Sequence, residues 1–208
     1  MNDKGLSFKN FLIKRFFDIF LSSIGLLIFI PIIFMTWVIA SLETRTNGFF
    51  IQSRVGRSGK LFNIVKIKTM KNVIGINSSI TTLDDVRISI SGVFFRKTKI
   101  DELPQLWNVL IGQMSFVGPR PDVPGYADRL KGKDRIILSV RPGITGPAQL
   151  AYKNEEEILA KQDDIIKYNN EVIWPDKVAI NMKYIENYSF FKDIYYIWKT
   201  VAGGNAKY

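Results

Sequence analysis

One long apolar run dominates the pattern of hydrophobic and polar positions. From Ile19 to Leu42 the sequence IFLSSIGLLIFIPIIFMTWVIASL carries no charged residue, about the ~20 apolar positions that a helix needs to cross a hydrocarbon core. The run is too long for a secretory signal, whose apolar region covers ~7–15 residues, and no small-residue cleavage site follows before Glu43. Pro31 removes one helical hydrogen bond and crowds the carbonyl four residues back, which predicts a kink or break there. Beyond it, Phe49 to Val55 and Leu61 to Ile67 are short runs rich in β-branched and aromatic residues around Gly56-Arg57-Ser58-Gly59, the pattern of a β-hairpin. Asn72 to Leu83 is a Ser/Thr/Asn-rich stretch that reads as a loop. From Asp101 the spacing of Leu103, Leu106, Trp107, Val109 and Leu110 is helical, with Pro104 tolerated in the first turn and Gly112 at the end. Near the C-terminus Phe191, Ile194, Tyr195, Trp198 and Val201 recur at helical spacing, with Ser189 placed as N-cap. Aromatics beside Lys192 and Lys199 suit a helix lying in a bilayer interface, and equally a helix packing its aromatic face on a core.

Charge placement changes the picture of the apolar run. Lys4, Lys9, Lys14 and Arg15 precede it, and Arg45, Arg54, Arg57 and Lys60 follow it. The positive-inside rule draws both flanks to the cytoplasm, which a single span cannot satisfy. A helix that enters, breaks at Pro31 and returns to the same face can, provided its freed backbone groups find partners. Pattern alone leaves spanning and re-entrant forms evenly matched.

Composition narrows the chemistry. The 208 residues carry 29 Lys+Arg against 19 Asp+Glu, a formal charge of +10, with no His and no Cys. A Ser-His-Asp triad, a cysteine nucleophile, a thiolate zinc site and disulfides are therefore excluded. Carboxylates, hydroxyls, amines, guanidinia or a hard cation such as Mg²⁺ remain. Gly59-Lys60 is not a phosphate loop, because the Walker spacing is absent and Leu61 follows the lysine. Asn77-Ser78-Ser79 and Asn187-Tyr188-Ser189 match the glycosylation sequon only weakly.

Asp101-Glu102 stands among cations, with Arg87, Arg96, Lys97 and Lys99 before it and Arg120 after it. Acids at a helix start commonly serve as caps. A carboxylate held ionised by cations can also act as nucleophile or metal ligand beside a phosphate. Gly118-Pro119-Arg120-Pro121 and Arg141-Pro142-Gly143-Ile144-Thr145-Gly146 read as rigid turns presenting arginines, whose planar forks suit phosphate oxygens.

Together the run from Arg96 to Leu110 (RKTKIDELPQLWNVL), Met114 to Pro121 (MSFVGPRP) and Arg141 to Gly146 (RPGITG) resembles the bacterial sugar transferases, the monotopic phosphoglycosyl transferases. Gln52 to Gly56, Lys68-Thr69-Met70 and the segment from Asn187 to Val201 extend the resemblance over nearly the whole chain. It implies an α+β, mainly α, fold: an N-terminal re-entrant membrane hairpin helix broken near Pro31 in residues 1–45, then a cytosol-facing catalytic domain over 46–208 with a small β-hairpin and interfacial amphipathic helices. The implied reaction moves a sugar-1-phosphate from a UDP-sugar to undecaprenyl (polyprenyl) phosphate, releasing UMP. By position, Asp101 is the implied nucleophile and Glu102 the Mg²⁺ ligand. Arg96, Arg120, Arg141, Lys68, Pro119, Pro121 and Thr145 are the implied substrate-binding residues. The implied partners are the two substrates and membrane lipids, with no nucleic acid. The implied location is the bacterial cytoplasmic membrane, and the pattern is compatible with a homo-oligomer. Ile30 stands where the family commonly has Ser before the proline, so a backbone-satisfying hydroxyl must come from elsewhere, with Ser22 and Ser23 as candidates. Asp122 is an unassigned acid, and Pro147 and Tyr152 depart from the commonest pattern. A rival reading, a membrane-anchored basic module binding lipid or nucleic acid, has no use for Asp101-Glu102.

Overall fold

The structure, a computed structural model, describes residues 5–71 and 87–203. The expected loop over 72–83 and the sequon at Asn77 lie outside the described residues. The chain opens with α1 (Phe8–Thr44), capped by the Ser7 hydroxyl, which accepts the Asn10 N–H. At 37 residues α1 extends roughly 55 Å by its rise per residue. Pro31 stands inside this single helical element, not between two, so of the expected kink or break the structure contains no break. Ser22 donates to the Asp18 carbonyl, Thr36 to that of Ile32 and Ser41 to that of Trp37. These hydroxyls are thus satisfied within the helix, and Ser22 does not serve the backbone at Pro31.

β1 (Phe49–Val55) and β2 (Leu61–Ile67) pair antiparallel with Phe49 opposite Ile67, as the period-two pattern predicts. α2 (Ile90–Thr98) and α3 (Gln105–Leu110) follow, joined by a 3-10 turn. β3 (Ser115–Val117) and β4 (Gly143–Thr145) pair in parallel across the intervening 3-10 segments. The two arginine-bearing turns of the sequence reading are therefore the exits and entries of one small parallel sheet. α4 (Pro147–Ala151), α5 (Glu155–Ala160), α6 (Ile165–Tyr168), α7 (Trp174–Glu186) and α8 (Phe190–Val201) complete the chain. The main core joins Val55, Val117, Ile137, Leu138 and Leu150 to Val178, Ile185 and Tyr196 of α7 and α8. In α8 Asp193 and Tyr196 are buried and Ile197 packs against the core, while Phe191, Trp198 and Val201 are exposed, so the stripe of Phe191, Trp198 and Val201 does not pack on the core.

α1 is attached to the globular body along its length. Lys14 Nζ lies 2.5 Å from Asp193 Oδ2, both side chains buried, and the Tyr184 and Tyr188 hydroxyls donate to the same carboxylate. Arg15 donates to the carbonyls of Val109 and Leu110, both at 2.7 Å, capping the C-terminus of α3. Asp18 accepts from Ser115 Oγ and the Phe116 N–H. Towards the other end, Ala40 packs with Ile67 and Phe95, Ser41 accepts the Gly48 N–H, and Glu43 accepts from Ile90 and Ser91. Lys14→Met, by leaving Asp193 buried without its cation, should lower stability by about 3 kcal/mol. A denaturant melt in detergent measures this, and pairing it with Asp193→Leu should restore most of the loss. Equal stability of the single variant and the parent would show that the ion pair does not hold α1 to α8.

Candidate active site

The acidic pair sits at a corner that the local sequence builds. α2 ends as Lys99 enters the left-handed region at φ 60°. One 3-10 turn, Ile100–Glu102, then turns the chain through Leu103 and Pro104 into α3. Asp101 is left 9% exposed, and its buried Oδ1 has no hydrogen-bond partner. Burial, with Glu102 adding to it, pushes the Asp101 carboxyl up to about 6 against the pull of Lys66, Lys99 and Arg96. Glu102 goes the other way. Burial alone would raise it, but Lys66, Arg120 and Lys99 outweigh that and hold it at about 2. Lys66 Nζ donates to Glu102 Oε1 at 2.8 Å, and Arg120 Nη2 lies 3.5 Å from the same oxygen. Adjacent carboxyls are thus separated by their surroundings into one fixed anion and one that titrates near neutrality.

A second shell of charge surrounds the pair. Arg120 is 50% exposed, so its guanidinium faces both Glu102 and solvent. Arg54 donates to the Pro121 carbonyl and to Gln52 Oε1, and the Val55 N–H bonds the Asp122 carbonyl, fastening the 119–122 segment to β1. Burial pushes the Asp122 carboxyl up to about 7, against Lys177, Arg54 and Arg120. Lys177 in turn holds Glu155 and lies over the Tyr152 ring, whose hydroxyl donates to Asp176.

The residues implied by resemblance divide. Arg96 acts on the Asp101 charge and Arg120 on that of Glu102. Pro119 and Pro121 contribute through their carbonyls, which accept from Gly143 N and Arg54. Three others are turned elsewhere. Lys68 Nζ donates to Thr46 Oγ1, Thr145 Oγ1 bonds Thr200 Oγ1 on α8, and Arg141 Nε donates to the Gly112 carbonyl while its guanidinium lies over the Phe11 ring. The cation on Glu102 is Lys66, which the sequence reading missed. Alternation could have found it: Ile64 and Phe62, two and four residues earlier on β2, are buried, so Lys66 shares the inward face. The Gly118–Gly143 contact aligns these segments, since a Cβ on Gly143 would lie 2.2 Å from Gly118 N.

Among the described residues no cluster of three or more acids forms a closed metal cage. The pair nevertheless fits a hard cation that is completed by substrate: its donors are all oxygen, Asp101 Oδ1 is unpartnered, and the contacts of Glu102 fall on Oε1.

The bacterial sugar transferase family matches residues 9–205. A Klebsiella pneumoniae UDP-glucose:undecaprenyl-phosphate glucose-1-phosphate transferase is 32% identical over 97% of the chain and 42% of its own length. An Aeromonas hydrophila UDP-N-acetylgalactosamine-undecaprenyl-phosphate N-acetylgalactosaminephosphotransferase is 33% identical over 91% of the chain and 43% of its own. The sugar transferase EpsL of Bacillus subtilis is 34% identical, covering 91% of the chain and 86% of that protein. The chain therefore spans about two fifths of some relatives and most of others.

Proposed function

The chain belongs to the bacterial sugar transferase family, and from that membership we propose that it transfers a sugar-1-phosphate from a UDP-sugar to undecaprenyl phosphate through an aspartyl intermediate on Asp101. The observation that carries this is the buried, unpartnered Asp101 oxygen beside a Glu102 fixed as an anion by Lys66 and Arg120. Asp101 attacks the β-phosphorus. The bond from that phosphorus to the bridging oxygen breaks, and UMP leaves with the electron pair. A phosphate oxygen of the polyprenyl acceptor then attacks the same phosphorus and expels Asp101 as carboxylate. Splitting the transfer in two lets the soluble nucleotide and the lipid react in turn. Arg120, Lys66, Lys99 and Arg96 supply positive charge where the diphosphate must lie. Asp101 and Glu102 would hold Mg²⁺, which when bound neutralises diphosphate charge. Tyr152, just after α4, carries Lys177 over its ring, and Glu155 bears on the Arg120 charge, which suits Tyr152 to contacting the donor, whereas Pro147 is fully buried.

The test is UMP release from a panel of UDP-sugars by the detergent-solubilised chain, with and without undecaprenyl phosphate and Mg²⁺. Lipid-dependent release from one or a few donors, together with phosphosugar labelling of Asp101, is the expected result. Release that proceeds undiminished in Asp101→Asn would remove the covalent route. Asp101 attacks as carboxylate, so kcat/KM should rise with pH through about 6 and then level off. Asp122→Asn should leave that limb in place. A limb that vanishes with Asp122 would transfer it to the second acid.

The membrane arrangement follows from the same geometry. Basic residues flank α1 on both sides, and both of its ends are tied to one globular body. We read α1 as entering and leaving the cytoplasmic leaflet on one face, with the exposed aromatic side of α8 lying at the interface. The chain has no cysteine, so single replacements give clean labels. Lys9→Cys and Lys60→Cys should both react with an impermeant maleimide only from the cytoplasmic side. Opposite sidedness would establish a spanning helix.

A further inference from the structure

Arg141 is presented by a rigid turn, yet its side chain faces away from the acidic pair. It joins a second cationic centre at the N-terminal end of α1. The Arg57 guanidinium lies 4.8 Å and that of Arg141 4.9 Å from the centre of the Phe11 ring. Arg15, one helical turn on from Phe11, lies on the same face of α1. Each guanidinium is fixed by backbone carbonyls: Arg57 Nε by Ser139 at 3.0 Å, Arg141 Nε by Gly112 at 2.7 Å, and both terminal nitrogens of Arg15 by Val109 and Leu110.

None of the three forms an ion pair with a carboxylate among the described residues. The one acid that bears on Arg141 is Asp18, which also bears on Arg15; its Oδ1 is engaged by Ser115 and Phe116, and its Oδ2 is buried without a hydrogen-bond partner. Burial, then repulsion from Arg15 and Arg57, lowers the Arg141 guanidinium below its ordinary range. Three like charges held together by carbonyls and an aromatic ring make a preformed seat for an anion. The four terminal nitrogens of Arg57 and Arg141 have no acceptor among the described residues, so both forks can take phosphate oxygens.

The surroundings indicate what carries the anion. Phe8, Leu12 and Phe16, spaced by four residues, form an exposed apolar stripe beside the Phe11–Arg15 stripe on α1. A ligand with phosphate at one end and hydrocarbon at the other matches both stripes. We propose that Arg57 and Arg141, backed by Arg15 across Phe11, bind the phosphate of an anionic glycerophospholipid of the membrane surface, at a site separate from the Asp101-Glu102 corner. The proposal needs α1 to lie in the membrane but does not depend on the sugar-transfer reading.

The experiment is native mass spectrometry of the full detergent-solubilised chain titrated with phosphatidylglycerol, phosphatidylcholine, inorganic phosphate or undecaprenyl phosphate. The parent should retain phosphatidylglycerol in preference to phosphatidylcholine. Arg57→Gln/Arg141→Gln should weaken that retention roughly thirtyfold, on a scale of ~1 kcal/mol per cation near the surface. A charge-matched control, Lys161→Gln/Lys167→Gln, should retain lipid as the parent does. If the double variant fails to fold, Arg57→Gln alone, with an exposed side chain and one carbonyl bond, should still show a weaker adduct. Unchanged retention in the arginine variants, or an equal loss in the lysine control, would overturn the site. So would inorganic phosphate displacing the lipid at equal concentration. Undecaprenyl phosphate bound there in preference to phosphatidylglycerol would overturn the assignment to a structural lipid.

Discussion

Asp101→Asn should abolish sugar-phosphate transfer and at the same time make the protein more stable above pH 6. The two effects have one cause. Folding raises the Asp101 carboxyl from 3.8 to about 6, because burial and the neighbouring Glu102 oppose its charge. Between those values the folded state holds more proton than the unfolded one, so stability declines as pH rises from about 4 to 6 and stays reduced above. An amide carries no such cost. The variant should gain about 3 kcal/mol at pH 8, on the scale of 1.36 kcal/mol per pKa unit, and almost nothing near pH 3.5. Thermal melts at the two pH values measure the difference, and UMP release measures the lost reaction. A variant that is inactive but equally destabilised at both values would mean that Asp101 holds the corner together as a cap, which is the ordinary role of an acid at a helix start.

The second large effect separates two lysines two residues apart. Lys66→Met should reduce kcat/KM by roughly 10²-fold or more, the scale of removing one preorganised charge contact. Lys68→Met should stay within about threefold, as expected of an exposed surface contact. Lys66 is mostly buried and lies on Glu102 at 2.8 Å, whereas Lys68 reaches the Thr46 hydroxyl at the surface. Removing Lys66 also takes away the largest influence lowering Glu102, whose carboxyl should then titrate at higher pH. Equal losses in both variants, or a larger loss in Lys68→Met, would return the phosphate-binding role to Lys68.

That contrast marks how far the sequence could be read. The β-hairpin was legible to the residue because alternation and a glycine-bounded turn are local signals. The acidic corner was legible because Asp101 and Glu102 are adjacent in the chain and their cations flank them. The direction of a side chain was less so. Lys68 belongs to a recognisable motif, but the inward face of β2 selects Lys66. Arg141 and Thr145 follow a rigid turn whose sequence specifies its shape and not what it faces, and α1 and α8 draw their side chains away. β3 and β4 are three residues each and pair across 28 positions, too short and too distant for a periodic signal. The kink or break expected at Pro31 rested on the proline rule and on basic residues at both flanks of the apolar run, and α1 continues through that proline as one helical element, so no break stands there.

The bond between Lys14 and Asp193 joins residues 179 positions apart. During synthesis α1 leaves the ribosome well before α8, which carries its buried counter-charge. Between those two events Lys14 has no native partner, so docking of α8 on α1 is a late closure. A nascent chain stalled before Asp193 should remain sensitive to protease at α3 and β3, and release of the completed chain should confer resistance. The long apolar helix is thus made before the residue that secures its N-terminal end.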